Sequence, residues 1–451
     1  MERLKSSTMC SARTRLAWLG VAMVMGTGGA SGAENQRPPN IILIVADDLG
    51  WGDVGFNGRT EWTTPNLDRL ARQGTTFRRL YTAAVVCAPS RAAFLTGKYT
   101  IHSGVRRNDE DLPAEEVTIA EALKPKGYTT ALFGKWHHGK SREGKKGYVH
   151  PQDQGFDEFF GYTDAVDAWE KFPAMLWDGR KRVPVSGYFD DLIADRAIEF
   201  LGRHKDGPFF LYLAPIATHF SIAAPADEVE RHRGKLPEAD LARPLNATYA
   251  AMVTRLDRNV GRMIEALARL KLIGDTIVVF TSDHGASFES GNQGTSAAVD
   301  SNHPFRGQKR TLWEGGIRVP GLACWPGRIP AGVVSEDVMH LTDLLPTFVA
   351  AAGGAVDSSR HVDGVNQLGV WTGKAKCAER RLFWEWESEG SRQLAAMEGR
   401  FKLVIIEGGK PELYDVVGDP AERRDLSAKH PELTKQLRDQ IDAWLKTASR
   451  R

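Results

Sequence analysis

Ile41-Ile42-Leu43-Ile44-Val45 runs almost directly into the acidic pair Asp47-Asp48. A short, continuous apolar run rich in β-branched residues reads as a strand buried on both faces. Such strands belong to sheets covered by helices on either side. Three more runs have this character: Tyr128–Phe133, Phe209-Phe210-Leu211-Tyr212-Leu213 and Thr276-Ile277-Val278-Val279-Phe280. Helical periodicity lies between them. It is clearest over 248–270, where Tyr249, Met252, Val253, Leu256, Val260, Met263, Ile264 and Leu267 recur at three- and four-residue spacing. Strand alternating with helix predicts an α/β fold, a large mixed, mostly parallel sheet sandwiched by helices.

Each run leads to reactive side chains. Asp47-Asp48 follow the first, Lys135 and His137 the second, His219 the third and Asp283-His284 the fourth. Open α/β sheets bind ligands beyond the carboxyl ends of their strands. A lone Asp after a strand is usually a turn or cap residue. Four strands delivering carboxylates, imidazoles and a lysine to one edge point to a site.

The tail reads differently. The segments 381–386, 393–397, 400–407 and 412–416 are strand-like pieces separated by turn residues. Over 431–447, Leu433, Leu437, Ile441, Trp444 and Leu445 share one helical face. A smaller C-terminal α+β subdomain, an antiparallel sheet with a terminal helix, is expected over 371–451, after a catalytic domain over 34–370.

Residues 1–33 carry Lys5, Arg13 and Arg15, an apolar stretch over 16–25, and small residues ending Ser31-Gly32-Ala33. That order is the one of a secretory signal, and the apolar stretch is too short to span a bilayer. Export to the periplasm or medium is expected, by the secretion machinery, with cleavage near Ala33 and no stable membrane insertion afterwards. The whole chain has 451 residues, 42% hydrophobic and 26% charged, enough for a large core. Its net charge of +2 offers no basic excess for nucleic acid. Loss of 1–33 removes Arg3, Lys5, Arg13, Arg15 and Glu2, so +2 becomes −1. Four cysteines exclude a disulfide scaffold and a multi-zinc array. With Cys10 in the leader and Cys87 committed to chemistry, only Cys324 and Cys377 are left to pair.

Cys87-Ala88-Pro89-Ser90-Arg91-Ala92-Ala93-Phe94-Leu95-Thr96-Gly97 is the most informative segment. Pro89 suits the first turn of a helix starting about Cys87. A thiol there, near an arginine, gains thiolate character. The segment resembles the signature of the sulfatase family, Cys-x-Pro-Ser-Arg-x-x-x-Leu-Thr-Gly, at every fixed position. A second family signature is matched by Gly127-Tyr128-Thr129-Thr130-Ala131-Leu132-Phe133-Gly134-Lys135-Trp136-His137. Similarity extends through Thr64-Pro65-Asn66-Leu67-Asp68, Trp313-Glu314-Gly315-Gly316-Ile317-Arg318-Val319-Pro320 and Glu412-Leu413-Tyr414-Asp415, and covers about 38–450.

The resemblance implies that a maturation enzyme converts Cys87 to formylglycine. Its hydrated aldehyde attacks sulfur with one hydroxyl, and the other hydroxyl later expels sulfate. This is covalent catalysis with a built-in exit. It also implies one calcium ion held by Asp47, Asp48, the modified Cys87, Asp283 and His284, where His284 is a softer ligand than calcium prefers. Arg91, Lys135 and Lys309 match the cations that face the sulfate and its anchors. His137 matches a base, and His219 a partner of the leaving alcohol. Substrate contacts are expected from loops at this edge: Arg107 and Asn108, a 163–190 insert with Trp169, Lys171 and Trp177, and 285–304 with His303. The expected substrate is a sulfate monoester, on a small molecule or a glycan. The alternatives are a phosphonate or phosphate ester hydrolase with the same nucleophile, and a catalytically dead sulfated-glycan binder.

Overall fold

The computed structural model describes residues 37–139, 149–388 and 390–448. The expected leader at 1–33, with Cys10, lies outside them. Along the described residues the large sheet is built from β1 (Asn40–Ala46), β2 (Thr75–Tyr81), β3 (Thr129–Lys135), β4 (Glu158–Tyr162), β5 (Met175–Asp178), β6 (Lys181–Pro184), β7 (Phe209–Ala214), β8 (Thr276–Ser282), β9 (Arg318–Val319), β10 (Gly321–Cys324) and β11 (Val333–His340). Their order is β11-β2-β10-β8-β1-β7-β3-β4-β5-β6, with β9 beside β2.

The four apolar runs are neighbours, β8-β1-β7-β3, and all pair in parallel. They are apolar throughout because both faces are covered. Ile42, Ile44 and Ala46 pack on one side with Leu211, Phe280 and the helices Pro65–Gln73, Phe189–Arg203 and Leu245–Arg269. Ile41, Leu43 and Val45 pack on the other with Tyr212, Val279 and the helices Cys87–Thr96 and Leu344–Ala351. The period-two alternation of strand side chains thus divides one run between two cores.

The tail forms a separate antiparallel sheet, β12 (Arg381–Ser388), β13 (Ser391–Glu398), β14 (Phe401–Ile406) and β15 (Glu412–Asp415), in chain order. One face carries Trp384, Trp386, Ala395, Met397 and Val404 onto Tyr81, Val85, Val86, Leu312 and Ile317. The other carries Ala396, Leu403 and Leu413 onto Leu437 and Ile441 of the terminal helix Pro431–Ala448. Both sheets lie within one compact unit. The small sheet therefore packs against the segment just ahead of Cys87. Cys324 and Cys377 are both free thiols. No helix among the described residues is long and apolar enough to cross a membrane.

Candidate active site

The site lies where the sequence places it, beyond the carboxyl ends of β1, β3, β7 and β8. The helix of the signature segment begins at Cys87 itself. Val86 is extended (φ −146°), Pro89 sits in the first turn, and Gly97 in the left-handed region (φ +70°) ends the helix. The orphan N–H of Ala88 donates to Asn108 Oδ1 at 3.0 Å. Asn108 therefore anchors the helix start as well as lining the cleft. Cys87 is fully buried. Its Sγ lies 3.4 Å from Asp47 Oδ1, 3.2 Å from His284 Nε2 and 3.7 Å from Lys309 Nζ.

Three cations crowd this thiol. Lys135 Nζ donates to Asp47 Oδ2 at 2.6 Å, and Lys309 Nζ to both Asp48 oxygens at 2.8 and 3.0 Å. Arg91, one turn after Cys87, donates to Asp283 Oδ2 and Tyr212 Oη at 2.8 Å and to the Lys135 carbonyl at 3.1 Å. Its guanidinium is 3.4 Å from Asp47 Oδ1. Burial and Asp47 push the Cys87 thiol up, but Lys135 and Lys309 bring it below its usual value. Burial also opposes the Asp47 charge, yet Lys135, with Arg91 and Lys309, holds that carboxyl well below the carboxylate range.

Asp47, Asp48, Cys87 and His284 turn donor atoms inward within 4.8 Å of one another, all buried. The His284 Nδ1–H donates to the Gly285 carbonyl at 3.0 Å, which leaves Nε2 for the cluster. Asp283 Oδ1 lies 3.6 Å from that Nε2 and accepts the Asp48 N–H at 3.2 Å. Two aspartates, a third beside them and one imidazole are a donor set that fits a divalent cation. Tight backbone packing fixes these groups. A side chain at Gly134 would meet the Ala214 carbonyl at 2.0 Å, and one at Gly285 would meet the Gly315 carbonyl at 1.7 Å. Asp48 (φ +60°) and His137 (φ +75°) occupy the left-handed region, which costs an L-residue about 1–2 kcal/mol and is kept at functional sites.

Two further imidazoles face the opening. Burial, then Lys135 and Arg91, hold His137 well below its ordinary value, so it is neutral at physiological pH. Both of its ring nitrogens lack a partner among the described residues. Burial likewise keeps His219 neutral. Its Nδ1–H donates to the Phe220 carbonyl at 2.6 Å, so Nε2 carries a lone pair and accepts. The expected partner of the leaving alcohol is therefore an acceptor at rest.

The opening is a cleft of about 690 Å³ that reaches His137, His219 and Lys309. Arg107, Asn108 and Trp169 line it, as the sequence leads one to expect. Trp177 and His303 do not. Trp177 lies in β5 and packs against His150, with ring centroids 6.2 Å apart. The His303 side chain is 68% exposed beside Asp300 and borders a different depression with Arg306 and Asp419. Lys171 is not a cleft residue either, being buried with its Nζ on the Ile216 carbonyl at 2.9 Å. Loop sequences give no facing direction, and these three point elsewhere. Arg310, Trp386 and Ser388 were not foreseen as cleft residues. The alternation in Leu382–Trp386 shows which side chains share a face of β12, but not that the hairpin reaches the nucleophile.

A family model for sulfatases matches residues 39–355, and one for the C-terminal region of N-sulphoglucosamine sulphohydrolase matches 303–447. This chain belongs to the sulfatase family. The N-acetylgalactosamine-6-sulfatase of Canis lupus familiaris is 33% identical over 423 residues, covering 84% of this chain and 74% of that one. Human arylsulfatase A is 33% identical over 449 residues, covering 90% and 83%. The solved structure of Ps i-CgsB in complex with k-i-k-neocarrahexaose superposes with a TM-score of 0.82 at 30% identity, covering 91% and 93%. The sulfatase is thus a sulfuric ester hydrolase.

Proposed function

We propose that this sulfatase is exported, is matured at Cys87 to formylglycine, binds calcium, and removes sulfate from a carbohydrate. One observation carries the reading. Cys87 lies at a helix start between paired carboxylates and three buried cations, 3.7 Å from the Lys309 that lines a cleft of about 690 Å³. The net reaction consumes one water and yields an alcohol and sulfate. When Cys87 is matured, it supplies a hydrated-aldehyde nucleophile. Calcium, held by Asp47, Asp48, Asp283 and His284, would supply charge that draws the sulfate oxygens to it.

The chain's own residues do the rest. Lys135 and Lys309 bind the sulfate oxygens in a site shielded from water, where their charge acts strongly. Arg91 pins Asp47 and Asp283, so the metal ligands hold their places. Neutral His137 takes a proton when sulfate is expelled. Lys309, kept cationic by Asp48 and Cys87 against its burial, gives a proton to the leaving oxygen. His219 Nε2 accepts the hydrogen bond of the alcohol as it forms. Trp169 offers a flat apolar face to a ring, and Arg107 and Arg310 offer donors to further anionic groups. The relatives named for N-acetylgalactosamine-6-sulfate and the one solved with a carrageenan oligosaccharide favour a glycan. The basic, apolar, small-residue order of 1–33 favours export.

A screen of sulfated mono- and oligosaccharides with released sulfate as readout tests this, beside matched aryl sulfate and aryl phosphate esters. Release from one sulfated sugar is expected, lost on chelation and restored by calcium. Preference for the phosphorus ester, or activity indifferent to chelation, would contradict it.

A further inference from the structure

A second group of ligating side chains lies apart from the cleft, at the junction of three segments. His102 belongs to the short helix Thr100–Ser103, just past the nucleophile helix. His361 and Asp363 belong to the loop between the helices Leu344–Ala351 and Leu368–Trp371. His102 also touches Thr447 of the terminal helix. One donor atom from each of His102, His361 and Asp363 lies within 4.8 Å of the others. His102 Nδ1 is 2.9 and 2.8 Å from the two Asp363 oxygens, and His361 Nε2 is 2.9 Å from Asp363 Oδ1 and 3.2 Å from His102 Nδ1.

The hydrogen bonds behind His102 free its inner nitrogen for a cation. Thr447 Oγ1 gives its hydrogen to the Trp444 carbonyl at 2.6 Å, so at 2.8 Å it accepts from His102 Nε2–H. In a neutral ring that places the His102 lone pair on Nδ1, facing a carboxylate and a second imidazole. With the His361 hydrogen on Nδ1, its Nε2 lone pair joins them, and three electron-rich atoms converge as they would on a cation. At 2.8–3.2 Å these atoms stand a few tenths of an ångström closer than ligands of a tetrahedral zinc, about 3.3 Å apart, so a small outward shift of the ligands seats the ion. The surroundings are those of a metal site too. Asp363 Oδ2 is held by the Tyr99 N–H at 2.7 Å and His102 by Thr447, so both ligands are oriented from behind. His361 is exposed, which gives an ion a path in.

We propose that His102, His361 and Asp363 bind a divalent ion of the zinc class, with solvent completing its coordination. Two imidazoles and one carboxylate suit zinc better than calcium. The ion ties the loop 352–367 to the segment following the nucleophile helix and, through His102 and Thr447, to the terminal helix. Its task is to fasten, since the cleft residues include none of the three.

The test uses the full calcium-loaded protein, free of any affinity tag, with zinc as the probe. His361→Ala removes an exposed ligand and leaves the fold and sulfate release unchanged. Zinc bound per chain is measured after equilibrium dialysis, together with the Tm with and without zinc. The wild type is expected to hold one more zinc per chain than His361→Ala, or to bind it at least about tenfold more tightly. Its Tm should rise on the order of 5 °C at zinc far above its Kd, a shift absent from the variant. Cobalt in place of zinc should give visible ligand-field bands in the wild type alone. Equal zinc content and equal Tm response in the two proteins would overturn the proposal and leave a proton as the shared cation.

Discussion

Lys402 lies fully buried between Glu314 and Glu422, as Lys135 lies fully buried beside Asp47, yet the second pair belongs to a cluster that holds a thiol and meets a cleft through His137 and Lys309. The first cluster joins β14 to the segment after β8. Lys402 Nζ is 2.8 Å from a carboxylate oxygen on each side, and Arg318 reaches Glu314 at 3.3 Å. Tyr81 Oη adds a hydrogen bond to Glu314 at 3.0 Å. Its opposite charges are in reach of one another. The second gathers three cations around two carboxylates and a thiol, leaves the ring nitrogens of His137 without partners among the described residues, and borders the cleft. Burial of charge therefore does not by itself mark a reactive site. Donors left over beside a nucleophile, with room for a substrate, do.

The two clusters should break differently. Lys402→Met takes from Glu422 its buried cation and leaves Glu314 with Arg318 alone. It should lower unfolding stability by about 3–5 kcal/mol in urea titrations, with sulfate release per folded molecule unchanged. Lys135→Ala should behave in the opposite way. We expect kcat on an aryl sulfate to fall by about 10²–10³, as when one preorganised donor is removed from a developing anion. Equal effects of both substitutions on kcat would erase the distinction.

A smaller effect separates the clusters by pH. Burial, reinforced by Glu314 and opposed by Lys402, pushes Glu422 up from 4.5 to about 7. The folded state then holds a proton that the unfolded chain has released, so stability falls as pH rises from 4.5 to 7. In Glu422→Gln that part of the fall should vanish, read as the difference in Tm between the two proteins across the window. Smallest of all, Trp169→Ala should raise KM for a sulfated sugar about two- to tenfold with little change in kcat, the worth of one ring face. An unchanged KM would place the sugar elsewhere in the cleft.

The sequence reading reached the centre of the fold because β1, β3, β7 and β8 are covered on both faces and so are written as unbroken apolar runs. Two strands toward opposite ends of the sheet were harder to see. β6 is mostly exposed, and β2 holds Arg78 and Arg79 in mid-strand, so neither carries the signal of a buried strand. Cys87, Arg91, Lys135 and Asp283 were legible because each sits within or beside a strand or helix whose end is fixed by its own sequence. Lys171 and Lys402 were not, because an isolated lysine in a sequence reads as solvated and only its packed partners reveal otherwise. Trp177 and His303 were misplaced for a related reason. Aromatic and basic residues in a loop suit a sugar, but loop direction depends on what the loop packs against.

The central claim is that Cys87 is the reactive centre of this sulfatase in a modified form. The mass of the peptide containing Cys87, taken from protein produced together with a formylglycine-generating enzyme, tests it most directly. The account predicts the aldehyde form, with sulfate release tracking its fraction from preparation to preparation and absent from a folded Cys87→Ala variant. An intact thiol in fully active protein would contradict it.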